Sequence, residues 1–385
     1  MKHLKLVRIT TVPISLKILL KGQLKFMSKY FEVTGIASPG KELEEVKMDE
    51  EIQVMPVNMS RKITPIKDLQ SLWHIYRFLR KEKPQIVHTH TPKAGIIGML
   101  AAKLAKIPHR LHTVAGLPLM ETSGIKRKIL DIVEKITYRC ATKIYPNSKG
   151  LYDFILKNNY TDGRKLKIIA SGSSNGIDTD FFSPEQISEK QKQNLKQKLN
   201  LKNSDFVFIF VGRLVKDKGI NELISVFKNL DQKNAKLLLV GNFEPRLDPL
   251  LPETSKEIEN NPNIISVGFQ NDVRPYFAIS DALVFPSYRE GFPNVVMQAG
   301  AMELPSIVTD INGCNEIIIE GKNGIIIPVK NAEAIEQAMK KMFDDKNLYE
   351  KLKQNARPMI VSRYEQKMIW KALLEEYRSL LEEKN

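Results

Sequence analysis

The sequence predicts an α/β protein of two domains, each holding a mostly parallel sheet with helices on both faces. Three observations carry this. Short apolar runs alternate with helix-length stretches along the chain, and such alternation implies parallel strands joined by helical crossovers. The length, 385 residues, suits two ordinary domains. A small, polar stretch, Ser171-Gly172-Ser173-Ser174-Asn175-Gly176, reads as a linker near the middle and puts the boundary at about residue 172.

In the first half, Leu4–Thr11, Phe31–Ser38, Ile52–Asn58, Ile86–Thr91, Arg110–Val114, Lys143–Asn147 and Leu166–Ala170 have the apolar content of buried strands. Ile66–Lys83, Gly95–Lys106 and Ile125–Ala141 are the helix-length stretches between them. The first connection, Pro13 to Tyr30, has its own pattern. Lys17, Lys21, Lys25 and Lys29 recur every fourth residue among Ile14, Leu16, Ile18, Leu19, Leu20, Leu24, Phe26 and Met27. That is the composition of a helix lying on an anionic bilayer, and equally of a core helix with a basic outer face. Gly22 interrupts it and suits a turn beside a ligand. A second basic and apolar patch follows at Leu117-Pro118-Leu119-Met120 and Lys126-Arg127-Lys128.

His88-Thr89-His90-Thr91-Pro92-Lys93-Ala94-Gly95 ends the fourth strand and opens a helix. Histidines at i and i+2 of a strand share a face. With no further ligands at metal spacing, the segment reads as a substrate-facing polar loop, in which one histidine has a structural role. His112 repeats the geometry on the next strand, where the alternative is a packed, hydrogen-bonded core histidine.

In the second half, Phe206–Val211, Lys236–Val240, Ile264–Val267, Ala282–Pro286, Ser306–Thr309 and Gly324–Val329 read as strands, and Gln186–Leu201 as a charged helix. After the first of these strands, Arg213 and Lys218 lie across a loop that ends in a helix start, which suits a diphosphate clamp. The run Ala282–Pro286 leads to Ser287-Tyr288-Arg289-Glu290-Gly291-Phe292-Pro293-Asn294, and a helix pattern runs from Pro293 to about Met302. Glu290 then occupies a turn at a strand's carboxyl end, where open α/β sheets bind ligands, and a carboxylate there suits sugar hydroxyls; the alternative on this stretch alone is an exposed loop glutamate before an ordinary helix. No P-loop or Gly-x-Gly-x-x-Gly fingerprint is present. Asp178-Thr179-Asp180 follows the linker instead of a strand end, so it is not read as a metal site. Asn331–Asn385 reads as helical throughout, with Trp370, Leu373, Leu374, Tyr377 and Leu381 as a core-facing seam.

The bulk numbers narrow the function. Apolar residues make up 42% and charged residues 27%, as in a soluble globular protein. No run of about 18 apolar residues indicates a spanning helix, and the N-terminus lacks a signal peptide's apolar core. Cys140 and Cys314 indicate neither a disulfide framework nor a zinc site, which fits a reducing cytoplasm. Residues 1–173 hold 31 Lys and Arg against 14 Asp and Glu, a balance of +17, while the rest hold 28 against 30. The first half should therefore face an anionic partner. Without a helix-turn-helix, zinc-finger or ribonucleoprotein motif, nucleic acid is disfavoured.

These residues together resemble retaining glycosyltransferases of family 4, which have the GT-B fold: two facing Rossmann-like domains with a cleft between them. The likeness rests on Gly212-Arg213 with Lys218-Gly219, Glu290-Gly291-Phe292-Pro293, Asn175-Gly176-Ile177-Asp178 and Gly313 with Glu316. The His88–Gly95 segment is similar to a subgroup that builds capsule or O-antigen glycans on polyprenyl diphosphate. The resemblance implies an N-terminal acceptor domain (1–172), a nucleotide-sugar domain (173–363) and a last helix (about 364–385) crossing back to the first. It implies Arg213 and Lys218 on the donor diphosphate and Phe292, Pro293 and Asn294 lining the sugar and phosphate pocket. Glu290 would contact the donor sugar and His112 would lie beside the reacting sugar. Gly268 and Phe269 would take the base, and Gly22, His88, His90 and Lys93 would lie on the acceptor side. It implies no metal and no cofactor. The expected reaction moves a hexose-type residue, N-acetylated, from a UDP-sugar to a polyprenyl-diphosphate-linked saccharide, on the cytoplasmic face of the plasma membrane. A sugar-nucleotide epimerase or hydrolase, or a non-catalytic nucleotide-sugar-binding or assembly subunit, are the alternatives. Two features depart from the family: Gln298 stands where a second glutamate contacts the ribose, which replaces a charge-assisted hydrogen bond with a neutral one, and Gly22 stands alone where the family's first loop has a Gly-Gly pair.

Overall fold

Six parallel strands form the first sheet: β1 (Lys5–Ile9), β2 (Glu32–Ala37), β3 (Gln53–Pro56), β4 (Ile86–His90), β5 (His109–Val114) and β6 (Lys143–Pro146). Their order is β3-β2-β1-β4-β5-β6. This computed structural model describes residues 4–383 except 118, 120, 121, 231, 233 and 247. Pro118 and Met120 of the second basic patch thus lie outside the described residues. The chain divides into two units. Unit 1 runs to Gly176 and resumes at Gln366; unit 2 is Ile177–Glu365. The divisions fall a few residues beyond the 172 and 364 expected.

Alternation along the strands sorts unit 1 into two layers. Val7 and Ile9 of β1 face one core, Leu6 the other. On the first side lie α4 (Pro65–Glu82), α5 (Pro92–Leu104) and α6 (Gly124–Cys140), with α5 packed against both neighbours. On the second lie α1 (Pro13–Leu19), α2 (Gln23–Ser28) and α3 (Lys41–Asp49). A short α7 (Lys149–Lys157) follows β6.

The Pro13–Tyr30 connection is therefore two short helices with one face in the core, with Ile14 and Ile18 left exposed. Gly22, at φ +76°, breaks it in two, and a Cβ there would lie 2.6 Å from the Trp370 ring. Leu16, Leu20, Leu24 and Met27 are fully buried. Lys17 pairs with Glu45 and Lys25 with Glu51, each at 2.6 Å. Leu166–Ala170 does not form a strand either. Leu166 makes a single bridge to Ile144, and the left-handed backbone at Ala170 and Ser173 turns the chain away.

Unit 2 repeats the design with β7 (Phe206–Val211), β8 (Ala235–Val240), β9 (Ile264–Ser266), β10 (Ala282–Phe285), β11 (Ser306–Thr309) and β12 (Gly324–Ile327). They are ordered β12-β11-β10-β7-β8-β9. Both sheets thus have the 3-2-1-4-5-6 order of a doubly wound fold. The crossovers are α8 (Glu189–Lys198), α9 (Ile220–Asn229), α10 (Pro252–Asn260), α11 (Arg274–Ala278), α12 (Asn294–Ala301), α13 (Cys314–Ile317), α14 (Ala332–Asp344) and α15 (Lys346–Tyr364). Pro293 caps α12 instead of opening it. The C-terminal helical stretch breaks at Asp345 and Glu365, so α16 (Gln366–Glu382) is a separate helix of unit 1.

α16 buries the expected seam, with Leu373, Leu374 and Tyr377 in the α1–α3 side core. It also carries polar anchors. Trp370 Nε1 donates to Asn175 Oδ1 at 2.6 Å. Tyr377 OH accepts from Arg8 at 3.1 Å and meets His88 Nδ1 at 2.5 Å. Tyr377→Phe would leave a buried guanidinium N–H and a ring nitrogen without partners. Losing satisfied buried polar groups of this kind costs about 1–3 kcal/mol, so the melting temperature is expected to fall by several degrees. An unchanged melt would show that the hydroxyl contributes nothing to docking α16.

Candidate functional site at the sheet edges

The strand order of unit 2 reverses between β7 and β10, and the segments leaving these strands diverge there, opening a crevice at their carboxyl ends. After β7 comes Gly212-Arg213, then a tight turn Lys216–Lys218, Gly219 and α9. Gly219 has φ +70°, and a Cβ on it would lie 2.2 Å from the Pro286 carbonyl oxygen. Only glycine allows the two loops to touch.

That contact brings Lys218 to Glu290. Nζ lies 2.5 Å from Oε1, and the two side chains are only 14% and 18% exposed. Ser287 Oγ donates to the same carboxylate oxygen at 3.0 Å and lies 3.4 Å from Nζ. A third loop locks the second. Asn312 Nδ2 donates to the carbonyls of Glu290 and Gly291, and a Cβ on Gly313 would lie 2.8 Å from the Gly291 oxygen. Beneath them the buried Cys314 thiol has its pKa pushed well up, first by burial and then by the Glu290 charge. Ser287 and Asn312 were missed from sequence: a serine after an apolar run and an asparagine before a glycine read as ordinary turn residues.

Arg213 is placed differently. Its Nη1 pairs with Glu244, beyond β8, at 2.9 Å, so the two expected clamp cations rest on different carboxylates. Gly268 accepts a backbone bond from Gly241 at 2.9 Å, and Phe269 after β9 is 65% exposed, with its N–H on Asn242 Oδ1. Phe292 packs on Tyr364, Asn294 is exposed at the start of α12, and Gln298 is half-buried within that helix.

In unit 1 the order reverses between β1 and β4. His88 and His90 do share a face, with their rings stacked at 4.5 Å. They are not an open polar loop. His88 is buried, with Nδ1 on Tyr377 and Nε2 on Thr113 Oγ1 at 2.7 Å. His90 Nε2 takes two contacts from Arg8, at 2.9 and 3.2 Å. Arg8 is fully buried, with no carboxylate partner among the described residues, and Gln23 Oε1 accepts from it at 2.6 Å. Because a guanidinium only donates, His90 Nε2 must be the acceptor. An arginine amid the apolar Leu6–Ile9 run was the signal that sequence reading passed over. His90 also lines a cavity of about 20 Å³ with Thr113, Asn147, Ser173 and Ser174, where Asn147 Oδ1 and Ser174 Oγ have no protein partner. One water fits such a space.

His112, expected beside the reacting sugar, points to the opposite face. It is buried under α5, where a Cβ on Gly95 would lie 2.6 Å from its ring, and its Nδ1 meets Thr89 Oγ1 at 2.8 Å. The geometry makes it the packed core histidine of the alternative reading. Lys93 pairs with Asp68, and Gly22 sits against Trp370. Among the described residues no group of three His, Cys, Asp or Glu side chains could hold a metal ion.

Two family models match the chain: "Glycosyl transferase 4-like" over residues 17–148 and "Glycosyl transferases group 1" over residues 191–359. The capsular polysaccharide biosynthesis glycosyltransferase CapM of Staphylococcus aureus is 35% identical over 387 residues, covering 100% of this chain and 99% of that protein. The chain belongs to the family-4 glycosyltransferases. This glycosyltransferase is also 32% identical, over 80% of its length and 78% of the relative's, to an Escherichia coli enzyme. That relative is named UDP-Gal:alpha-D-GlcNAc-diphosphoundecaprenol alpha-1,3-galactosyltransferase. The solved structure of Anabaena Alr3699/HepE in complex with UDP matches with a TM-score of 0.83 at 16% identity, over 98% of this chain and 100% of that one. The fold is thus GT-B.

The buried histidines give the glycosyltransferase a characteristic pH response. Burial lowers His88, His90 and His112 below the ordinary 6.5, His112 to about 4; the charge of Arg8 adds to the effect on His88 and His90. Unfolded, they protonate near 6.5, so below that pH the unfolded chain binds more protons and stability falls. Glu134 opposes this: burial raises it from 4.5 to about 7, so its contribution fades as pH rises through that window. Three histidines outweigh one carboxyl, so the melting temperature is expected to drop between about pH 7 and pH 5. Glu134→Gln should steepen the drop. A flat profile in both proteins would show that these groups titrate normally in the folded state.

Proposed function

We propose that the glycosyltransferase moves a hexose-type sugar from a UDP-sugar to a polyprenyl-diphosphate-linked saccharide, with retention, in bacterial surface polysaccharide synthesis. An N-acetylhexosamine is the first donor to test. The observation that carries this reading is the half-buried Lys218–Glu290–Ser287 cluster at the strand-order reversal of unit 2. The names of the relatives, one a capsule enzyme and one acting on a diphosphoundecaprenol acceptor, support the substrate classes.

The cluster suits both halves of a sugar nucleotide. Lys218 supplies a poorly solvated cation for the diphosphate, and a cation in a dry site stabilises the charge that gathers on a leaving group. In the transfer the bond from the sugar C1 to the diphosphate oxygen breaks, and C1 bonds to the acceptor oxygen. The acceptor proton leaves with the diphosphate. Glu290 accepts hydrogen bonds from donor sugar hydroxyls once the diphosphate takes its place beside Lys218. Arg213 would exchange Glu244 for phosphate oxygens. Phe292, Pro293 and Asn294 line the sugar side, exposed Phe269 and Gly268 flank the base, and Gln298 hydrogen-bonds the ribose as a neutral amide. His112, under α5, takes no proton in this scheme. On the acceptor side, the edge around His90 and Lys93 is the part of unit 1 nearest its own strand-order reversal. No helix among the described residues is long and apolar enough to cross a membrane, and a lipid-linked acceptor calls for peripheral attachment at the cytoplasmic face.

Lys218→Ala and Glu290→Ala are each expected to lower kcat about 10²- to 10³-fold, measured as UDP release with a polyprenyl-diphosphate saccharide. UDP should raise the melting temperature of the wild type by mass action, and Lys218→Ala should abolish the shift. Wild-type turnover in both variants would remove this site. Free sugar or an epimer formed without acceptor would favour a hydrolase or epimerase, and flat melts with every nucleotide a non-catalytic subunit.

A further inference from the structure

The Lys17–Lys29 segment buries Leu16, Leu20, Leu24 and Met27 in the core, pairs its lysines at 17 and 25 with carboxylates and exposes Ile14 and Ile18, so it offers no continuous apolar stripe. Another surface of unit 1 has the properties the segment lacks. On α6, Ile125, Ile129, Ile132 and Ile136 are 78%, 45%, 57% and 40% exposed. At 100° per residue they fall within an arc of about 60°, a continuous apolar stripe pointing away from the protein. The helix's other apolar side is accounted for, since Leu130 and Tyr138 pack in the unit 1 core.

The charge around the stripe has one sign. Lys128 and Arg139 border it on one side, within about 70° of its centre, with Lys135 at about 90°, and Lys126 lies on the other; all four are exposed. None of them has a carboxylate partner in an ion pair among the described residues. The helix's two carboxylates are turned elsewhere. Asp131 is bound to Arg127 and Tyr160, and Glu134 is buried. In the same helix layer, α4 exposes Ile66, Leu69 and Trp73 along one side. Its cations Lys67, Arg77, Arg80 and Lys81 are exposed, while its carboxylates Asp68 and Glu82 are taken by Lys93 and Lys5. The two helices thus carry nine cations and four carboxylates, and all four carboxylates are paired or buried.

We propose that α6, with α4 beyond α5 in the same layer, is the surface by which this protein lies on an anionic lipid bilayer, with the isoleucine stripe entering the acyl boundary and the lysines at the headgroups. An apolar stripe with bordering cations is what an interfacial helix requires, and a negative leaflet attracts cations near its surface. A second copy of the chain is the less fitting occupant, because a face-to-face pairing of this stripe would bring its cations together. The inference rests on the lipid-linked acceptor proposed above only for its purpose.

The test is co-sedimentation of the full chain with phosphatidylglycerol-containing vesicles and with pure phosphatidylcholine vesicles. Wild type is expected to bind the first and not the second. Ile129→Glu with Ile132→Glu should weaken that binding at least about tenfold, with an unchanged melt. Lys128→Ala, Lys135→Ala and Arg139→Ala should each weaken it about fivefold, the effect vanishing at high salt. UDP release with a short-chain, water-soluble acceptor should be unaltered in all of them. Equal vesicle binding by the wild type and the isoleucine variant would overturn the proposal. So would a wild-type dimer that the isoleucine substitutions dissociate without changing vesicle binding. Loss of turnover with every acceptor would instead overturn the proposed function, leaving the vesicle result to decide this surface.

Discussion

The site in unit 2 depends on how closely three loops approach one another at the carboxyl ends of β7, β10 and β11. Parallel strands lie about 4.8 Å apart, so side chains on adjoining loops meet only where the backbones have no Cβ in the way. Gly219 against Pro286 and Gly313 against Gly291 supply that freedom. The result is an ammonium, a carboxylate and a hydroxyl brought together and largely shielded from water. Shielding strengthens the attraction of Lys218 for any anion. In the proposed reaction a phosphate would replace Glu290 as the partner of Lys218, which would couple diphosphate binding to the release of a carboxylate for the sugar.

Unit 1 uses its equivalent crevice for a different purpose. Where unit 2 has a largely buried ion pair, unit 1 has a buried guanidinium held by a neutral histidine, a phenol and an amide. A buried charge without a counter-ion is costly unless every donor is satisfied. Here the partners come from β4, α2 and α16, so the charge ties the C-terminal helix to the first strand. The same network accounts for His88, whose two nitrogens are used in holding Tyr377 and Thr113. The polar residues at this edge are thus divided between an architectural role, in His88 and Arg8, and the small cavity beside His90.

All twelve strands were legible to within two residues because buried parallel strands are nearly continuous apolar runs; β1, β3 and β12 end two residues early. The false strand, Leu166–Ala170, has the same composition, yet it makes a single bridge, Leu166 to Ile144, before the left-handed backbone at Ala170 and Ser173. The lysine pattern failed for a related reason. A repeat of four describes a helix face but not what lies opposite, and Gly22 with Trp370 converts one long helix into two short core helices. His112 and His88 looked alike on neighbouring strands, yet one residue of register places them on opposite faces of the sheet.

The sequence by itself determined the α/β class, the two-part division, the strand positions and the loop that carries Glu290, because burial period and turn chemistry are local properties. It also placed Lys218 beside a helix start. Tertiary structure decided that Lys218 meets Glu290 while Arg213 meets Glu244, that Arg8 is buried with no carboxylate partner among the described residues, and that the isoleucines of α6 face outward. Those outcomes depend on which strands are neighbours and which helix faces are already covered. They are set by contacts between residues tens to hundreds of positions apart, and a one-dimensional pattern does not contain them.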